Sequence, residues 1–165
     1  VMNAGAYGSE MKDILREARV MTPEGEVLVL DAGALELGYR TSCIPSKGYI
    51  VLEAVFGLKP GDRSAIEARM KELSARRREK QPLEYPSAGS TFKRPQGHFA
   101  AALIDQCGLK GRAVGGAQVS EKHAGFLINR GGATCADVLE LADQVRQEVL
   151  RQTGVELELE IRVLG

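Results

Sequence analysis

The sequence predicts an α+β chain, with strands and helices in separate runs rather than in regular βαβ alternation. Three observations carry that reading. Residues 14–21 and Glu26–Asp31 flank the turn residues Thr22-Pro23-Glu24-Gly25, a long segment from Asp62 sets Ile66, Met70 and Leu73 at helical spacing, and Val155 to Val163 alternates apolar and charged residues one for one.

Taken in order, the first two runs predict a hairpin, and Ala32–Leu37 a short helical turn. Tyr49 to Leu58 reads as a strand, because Val51, Val55 and Phe56 favour the extended state and Lys59-Pro60-Gly61 ends it. Three strands with so little helix between them look like the tail of a larger sheet. From Asp62, an N-cap, to about Lys80 the spacing predicts a helix with one buried apolar face, closed by Arg76, Arg77, Arg78 and Lys80, cations suited to the negative pole of a helix. Gln81–Gly97, with Pro82, Pro86, Gly89 and Pro95, is expected to be a long functional loop. Phe99, Leu103, Ile104 and Cys107 mark a short helix closed by Gly108, and Arg112–Ser120 and Ala124–Asn129 each read as one strand. Thr134 and Asp137 form a capping box, and Val138, Leu141, Val145 and Val149 share one helical face up to Thr153. In the closing stretch the apolar residues point one way and Glu156, Glu158, Glu160 and Arg162 the other, as in a half-buried strand.

Composition narrows the function classes. The 165 residues leave room for one good core or two small ones, and the composition is that of a soluble globular protein. Lys and Arg total 22 against 22 Asp and Glu, which argues against a nucleic-acid partner, since duplex binders gather a basic excess on one face. No apolar run approaches the roughly 20 residues of a membrane span. The three cysteines, Cys43, Cys107 and Cys135, cannot close a complete disulfide set, which fits a reducing cytoplasm. With only His98 and His123 as histidines, no metal site is expected. The chain opens on Val1 inside a small-residue stretch, Asn3–Ser9, and is expected to be a fragment.

On residue chemistry alone, Ser87-Ala-Gly-Ser-Thr-Phe-Lys-Arg-Pro95 sets a hydroxyl beside glycine with two cations following. Lys80, Lys93 and Arg94 together would suit a phosphate, although each alone reads as a solvated cation. Ser90 alone reads as a turn residue, because no G-x-S-x-G surrounds it. Glu160 stands between Glu158 and Arg162 on the polar face of the closing stretch, Arg40 reads as a surface arginine or a carboxylate ligand, and His123 as packed or surface-lying.

Read as whole strings the same segments say more. Met2-Asn-Ala-Gly-Ala-Tyr-Gly-Ser-Glu10, Gly38-Tyr-Arg-Thr-Ser42, Ser87–Pro95, Leu103-Ile-Asp-Gln-Cys-Gly-Leu-Lys-Gly111, Gly115-Gly-Ala-Gln-Val-Ser120 and Leu157-Glu-Leu-Glu-Ile-Arg162 occur in this order. Together they resemble the bacterial UDP-N-acetylenolpyruvoylglucosamine reductases, also called UDP-N-acetylmuramate dehydrogenases. The resemblance covers residues 2 to 164 but begins partway through the family pattern, without the glycine-rich amino-terminal segments that hold most of the FAD.

The resemblance implies a cytoplasmic flavoenzyme that uses FAD and NADPH to reduce UDP-N-acetylglucosamine enolpyruvate to UDP-N-acetylmuramate for peptidoglycan, and so serves cell-wall growth, shape and division. It implies that residues 1–60 are the carboxy-terminal part of a split FAD-binding α+β domain and residues 61–165 a small α+β substrate-binding domain. The missing amino-terminal part would be the partner, and the chain alone would be inactive. By the same resemblance Ser90 is the proton donor, Arg40 pairs with the substrate carboxylate, and Glu160 stands beside the same intermediate. Lys80 lies near the substrate phosphates, Arg94 stands where many members have asparagine, and His123 lies near a polar substrate-side position. Asn3, Gly5 and Gly8 belong to the segment that closes over the flavin. The short link after Leu58 resembles the subgroup without an extra loop bearing a mobile tyrosine. Two alternatives stand beside this one: a non-catalytic UDP-sugar-binding module, and a piece whose unpaired sheet edges make it self-associate.

Overall fold

The computed structural model describes residues 1–164, and the chain divides into two units, Val1–Asp62 and Arg63 onward, each with its own core. In the first, Gly5–Ala6 (β1) and Ser9–Glu10 (β2) form a small antiparallel hairpin. Its two turn residues, Tyr7 and Gly8, both have positive φ, 54° and 84°, as a type I′ turn requires. A Cβ at Gly5 would meet that of Glu10 at 3.0 Å, so glycine lets the two strands close.

Leu15–Met21 (β3), Val27–Asp31 (β4) and Ile50–Phe56 (β5) make an antiparallel sheet in the order β4-β3-β5. Alternation along β3 turns Ala18 and Val20 inward against Leu35, Cys43 and Ile44. The last two begin a short helix, Cys43–Ser46 (α1), capped by Ser42, whose Oγ accepts the Ile44 N–H. Ala32–Leu37 makes the single helical turn expected of it and no longer helix: Leu35 donates to the Asp31 carbonyl four residues back, Glu36 to that of Gly33, the Asp31 carboxylate accepts from Ala34, and Glu36 ends the turn at φ 50°. Every residue of β5 is exposed.

The second unit opens with Arg63–Lys80 (α2). Its apolar face is not buried as the spacing implied: Ile66 and Met70 are exposed and no residue of the helix is buried. Ion pairs along the helix, Arg63 with Glu67 and Arg69 and Arg76 with Glu72, support it instead. The stretch 81–97 is not one long loop. It contains a strand, Ser87–Ser90 (β6), and leads to a helix, Ala100–Gln106 (α3). Nor is Arg112–Ser120 a single strand: Ala113–Val114 (β7) and Ala117–Val119 (β8) fold back on each other around Gly115-Gly116. A Cβ at Gly116 would lie 2.3 Å from the Gly131 carbonyl oxygen, so the hairpin can sit there only because that residue is glycine.

With Phe126–Asn129 (β9) these strands form a sheet in the order β6-β9-β8-β7. Cys135–Thr153 (α4) packs on it through Leu141, Ala142, Val145 and Val149. The capping box is present in full, with Asp137 and Thr134 exchanging hydrogen bonds, and Gly154 ends the helix at φ 72°. The expected alternation holds only around Leu157, buried between exposed Glu156 and Glu158; beyond it Glu160 is half-buried like Leu159 and Ile161, Val163 is exposed, and the stretch is no regular strand. It meets residues 91–93 through a single bridge, Phe92 to Leu159, flanked by Lys93 donating to the Glu158 carbonyl and Glu160 to the Thr91 carbonyl, both at 2.8 Å. Its partner segment runs into Pro95, which has no N–H with which to continue a ladder.

Candidate active site

Ser90 stands at the end of β6, on a bulge. Ser87 pairs with Ile128 and Ser90 with Phe126, so β6 carries one residue more than β9 between the two pairs. Ile128 and Phe126 share a face of the sheet, and the extra residue brings Ser90 to that face, where a regular strand would have turned it away. Gly89 accommodates the bulge with φ 87°, a region closed to most side chains.

Thr91 secures the next position from three sides. Its N–H donates to the Gly125 carbonyl at 2.9 Å, its hydroxyl accepts the Leu127 N–H at 3.2 Å, and its carbonyl accepts the Glu160 N–H at 2.8 Å. Ser90 and Glu160 are thus held by one buried residue, Ser90 preceding it in the chain and Glu160 bound across from it. No reading of single motifs had singled out Thr91. The signal available was Gly89 within a strand-like run, a mark of a bulge.

His123 joins the same group. Its ring meets Phe126, the cross-strand partner of Ser90, edge to face with centroids 4.9 Å apart, and its Nδ1 accepts the Gly125 N–H at 3.2 Å. Burial, reinforced by the charge of Lys110, holds the imidazole pKa below its ordinary value. A neutral ring whose Nδ1 accepts a hydrogen bond carries its proton on Nε2. The turn bearing His123 is fixed by Ser120, whose Oγ accepts the N–H groups of Lys122 and His123.

The cations are arranged less uniformly. Lys93 pairs with Glu158. The Arg94 guanidinium lies over the Phe99 ring, 3.9 Å from its centroid, and its Nε donates to the His98 carbonyl at 3.3 Å. Lys80 is exposed at the last position of α2. Among the described residues no cluster of three or more metal-binding side chains occurs.

In the first unit Arg40 occupies a tight turn closed by reciprocal backbone bonds between Gly38 and Thr41, at φ 53°, with its guanidinium 5.5 Å from the Tyr39 ring centroid. Asn3 is buried, and its carboxamide binds Glu10, Gly38 and Lys12 of the protein. Beside it lies a cleft of about 250 Å³, lined by Val1 to Ala4 and by apolar side chains that include Leu15, Leu35, Ile44, Val51 and Phe56. Gly5 and Gly8 belong to the β1–β2 hairpin, where no side chain would contact a Cβ placed on Gly8.

Residues 81–164 match the family model described as UDP-N-acetylenolpyruvoylglucosamine reductase, C-terminal domain. The chain belongs to the UDP-N-acetylenolpyruvoylglucosamine reductase family. Curated members agree: the chain is 56% identical over its whole length to the reductase of Agathobacter rectalis and 52% identical over 164 residues to that of Clostridium botulinum. The crystal structure of UDP-N-acetylenolpyruvylglucosamine reductase from Thermus caldophilus superposes with a TM-score of 0.82 at 38% identity, over 98% of this chain and 58% of that one. The chain spans about half the length of the curated relatives it matches, 52% and 54% for the two named. The reductase family's carboxy-terminal domain therefore includes the bulge at Ser90, the turn at His123 and the segment bearing Glu160. Arg40 and Asn3 lie before the stretch that the family model covers.

Proposed function

We propose that this chain supplies the substrate-side half of a UDP-N-acetylenolpyruvoylglucosamine reductase, which converts UDP-N-acetylglucosamine enolpyruvate to UDP-N-acetylmuramate in the cytoplasm for peptidoglycan synthesis. On this reading residues 1–60 complete a FAD-binding domain begun elsewhere, and residues 61–165 bind substrate. The observation that carries it is the bulge that places Ser90 one residue from the anchor of Glu160, within a chain whose relatives bear that enzyme's name.

The residues of the first unit fit part of a flavin. The cleft beside Asn3 is apolar, as a ring system needs, and none of its lining residues is a cation that would hold a diphosphate. The remaining grip would come from the amino-terminal half found in relatives. When bound, FAD supplies the reducing equivalents, drawn from NADPH, that add to the vinyl group; the protein orients the reactants and places charge. Arg40 holds the substrate carboxylate and stabilises the negative charge that spreads into it. Ser90 delivers its hydroxyl proton to the carbon bearing the ether oxygen. An alcohol is a weak acid, so only a strongly basic centre, created at that carbon during reduction, takes the proton, and close placement by the bulge makes the transfer efficient. Glu160 stands beside the same carbon. Lys80 and Arg94 meet the phosphates of the UDP group, and His123 offers its Nε2–H as a neutral donor.

The test joins this chain to the amino-terminal half of the Agathobacter rectalis relative and measures the two half-reactions anaerobically. Substrate-dependent oxidation of NADPH is expected from the joined protein and none from the chain alone. Ser90→Ala should leave flavin reduction by NADPH within about twofold and slow the substrate half-reaction by two orders of magnitude or more. Equal slowing of both half-reactions would overturn the role of Ser90. Tight binding of the UDP-linked substrate without turnover by the joined protein would favour the non-catalytic module instead.

A further inference from the structure

The turn that carries Arg40 is tied on both sides to the first residues of the chain. On one side Asn3, 3% exposed, donates its carboxamide N–H groups to the Gly38 carbonyl at 3.2 Å and to the Glu10 carboxylate, while its Oδ1 accepts the Lys12 N–H at 2.9 Å. Two of these partners only accept and the third only donates, so the amide has one possible orientation. On the other side the buried Ser42 donates to the Val1 carbonyl. Arg40 lies between the two ties at φ 53°, in the left-handed region that side chains avoid. Such a conformation persists only where its surroundings over-determine it, and it fixes the direction in which the side chain leaves the backbone.

We infer that Asn3 is a positioning residue for Arg40: its carboxamide fixes the Gly38 carbonyl, and with it the turn from which the guanidinium is aimed. The side chain of Asn3 has both N–H groups engaged within the protein, one of them on the turn of Arg40 itself, so the step that uses Arg40 feels its loss directly. This rests on the reading of Arg40 as the partner of the substrate carboxylate. Substitution of Asn3 by aspartate would set a carboxylate against the Gly38 carbonyl and the Glu10 carboxylate, whereas alanine only removes the ties.

The experiment uses the joined full-length protein with Asn3→Ala, Arg40→Lys and the double variant. FAD content, the visible flavin spectrum, the substrate Kd from anaerobic perturbation of that spectrum, and both half-reactions are recorded. Rates and affinities being taken per FAD-loaded protein, Asn3→Ala is expected to raise the substrate Kd and slow the substrate half-reaction by about tenfold together, more than it slows reduction by NADPH. On the Arg40→Lys background the same substitution should add less than about twofold, because both changes act through one guanidinium. Equal slowing of both half-reactions per FAD-loaded protein, or fully multiplicative effects, would each overturn the inference. Arg40→Lys with unchanged substrate affinity and rate would overturn the carboxylate reading and the inference with it. An impaired Arg40→Lys beside an unaffected Asn3→Ala would overturn the inference alone. Should Asn3→Ala fail to accumulate in folded form, Asn3→Ser, whose shorter side chain cannot span to Gly38, carries the same expectations.

Discussion

Thr91 is buried where a valine of the same shape would also fit, yet its hydroxyl accepts the Leu127 N–H that the bulge leaves without a ladder partner. Thr91→Val should therefore cost about 1–3 kcal/mol, the penalty of an unsatisfied buried donor, as read from urea unfolding, and Thr91→Ser clearly less. Gly89 has open space where a Cβ would stand, so Gly89→Ala should cost about 1–2 kcal/mol from its φ alone, without a clash. His123 gives a pH signature. Its folded pKa lies below the unfolded value of about 6.5, so the folded state binds fewer protons, and stability falls as pH drops below that value and through the folded pKa. Unfolding midpoints at pH 7.5 and pH 5 should therefore differ more in the parent than in His123→Gln, and an identical difference would refute the assignment. At this scale the sequence named Ser90, Glu160 and Arg40 as candidates, but not Thr91 or Ser42, whose importance lies in distant backbone groups that local patterns do not reveal.

Among the elements, α4 was the most legible, because its cap, its apolar face and its terminal glycine all agree. The Thr134 N–H and hydroxyl hold the Asp137 carboxylate below the usual carboxylate range, so the cap is fully formed at neutral pH and weakens as pH falls through that lowered pKa. Thr134→Ala should destabilise the second unit by roughly 1 kcal/mol at pH 7, measured by the loss of helical circular dichroism in denaturant. Two elements departed from their patterns for opposite reasons. In α2 apolar spacing predicted burial, but Ile66 and Met70 stay exposed beside ion pairs of Arg69 and Arg76 with Glu72; in the closing stretch alternation predicted a ladder, but the partner backbone ends too soon. The glycine and flanking prolines of β6 match loop composition, whereas a bulged strand needs that glycine.

At the scale of the whole molecule, the two units differ in how much they bury. The first gathers only Ala18, Val20, Leu35, Cys43 and Ile44 in its core and leaves β5 exposed, while α4, α3 and the four-stranded sheet enclose a much larger cluster. The first unit should therefore open at lower denaturant concentration than the second. Labelling of the three cysteines with a thiol reagent checks this: exposed Cys135 should react at once, Cys107 more slowly because burial raises its pKa, and buried Cys43 only when the first unit opens, before the α4 signal is lost. Simultaneous loss of both would show one cooperative unit. No described helix is long and apolar enough to cross a membrane. By itself the sequence determined the α+β class, the β3–β4 hairpin, β5, α3, α4 and the family, because these rest on periodicity, caps, turn residues and ordered strings that lie within short windows. Only the tertiary structure decided the bulge beneath Ser90, the anchoring of Glu160 on Thr91, and the tie from Asn3 to the turn of Arg40. Each depends on hydrogen bonds between residues far apart in the chain, and no local pattern specifies which backbone group a distant donor will meet.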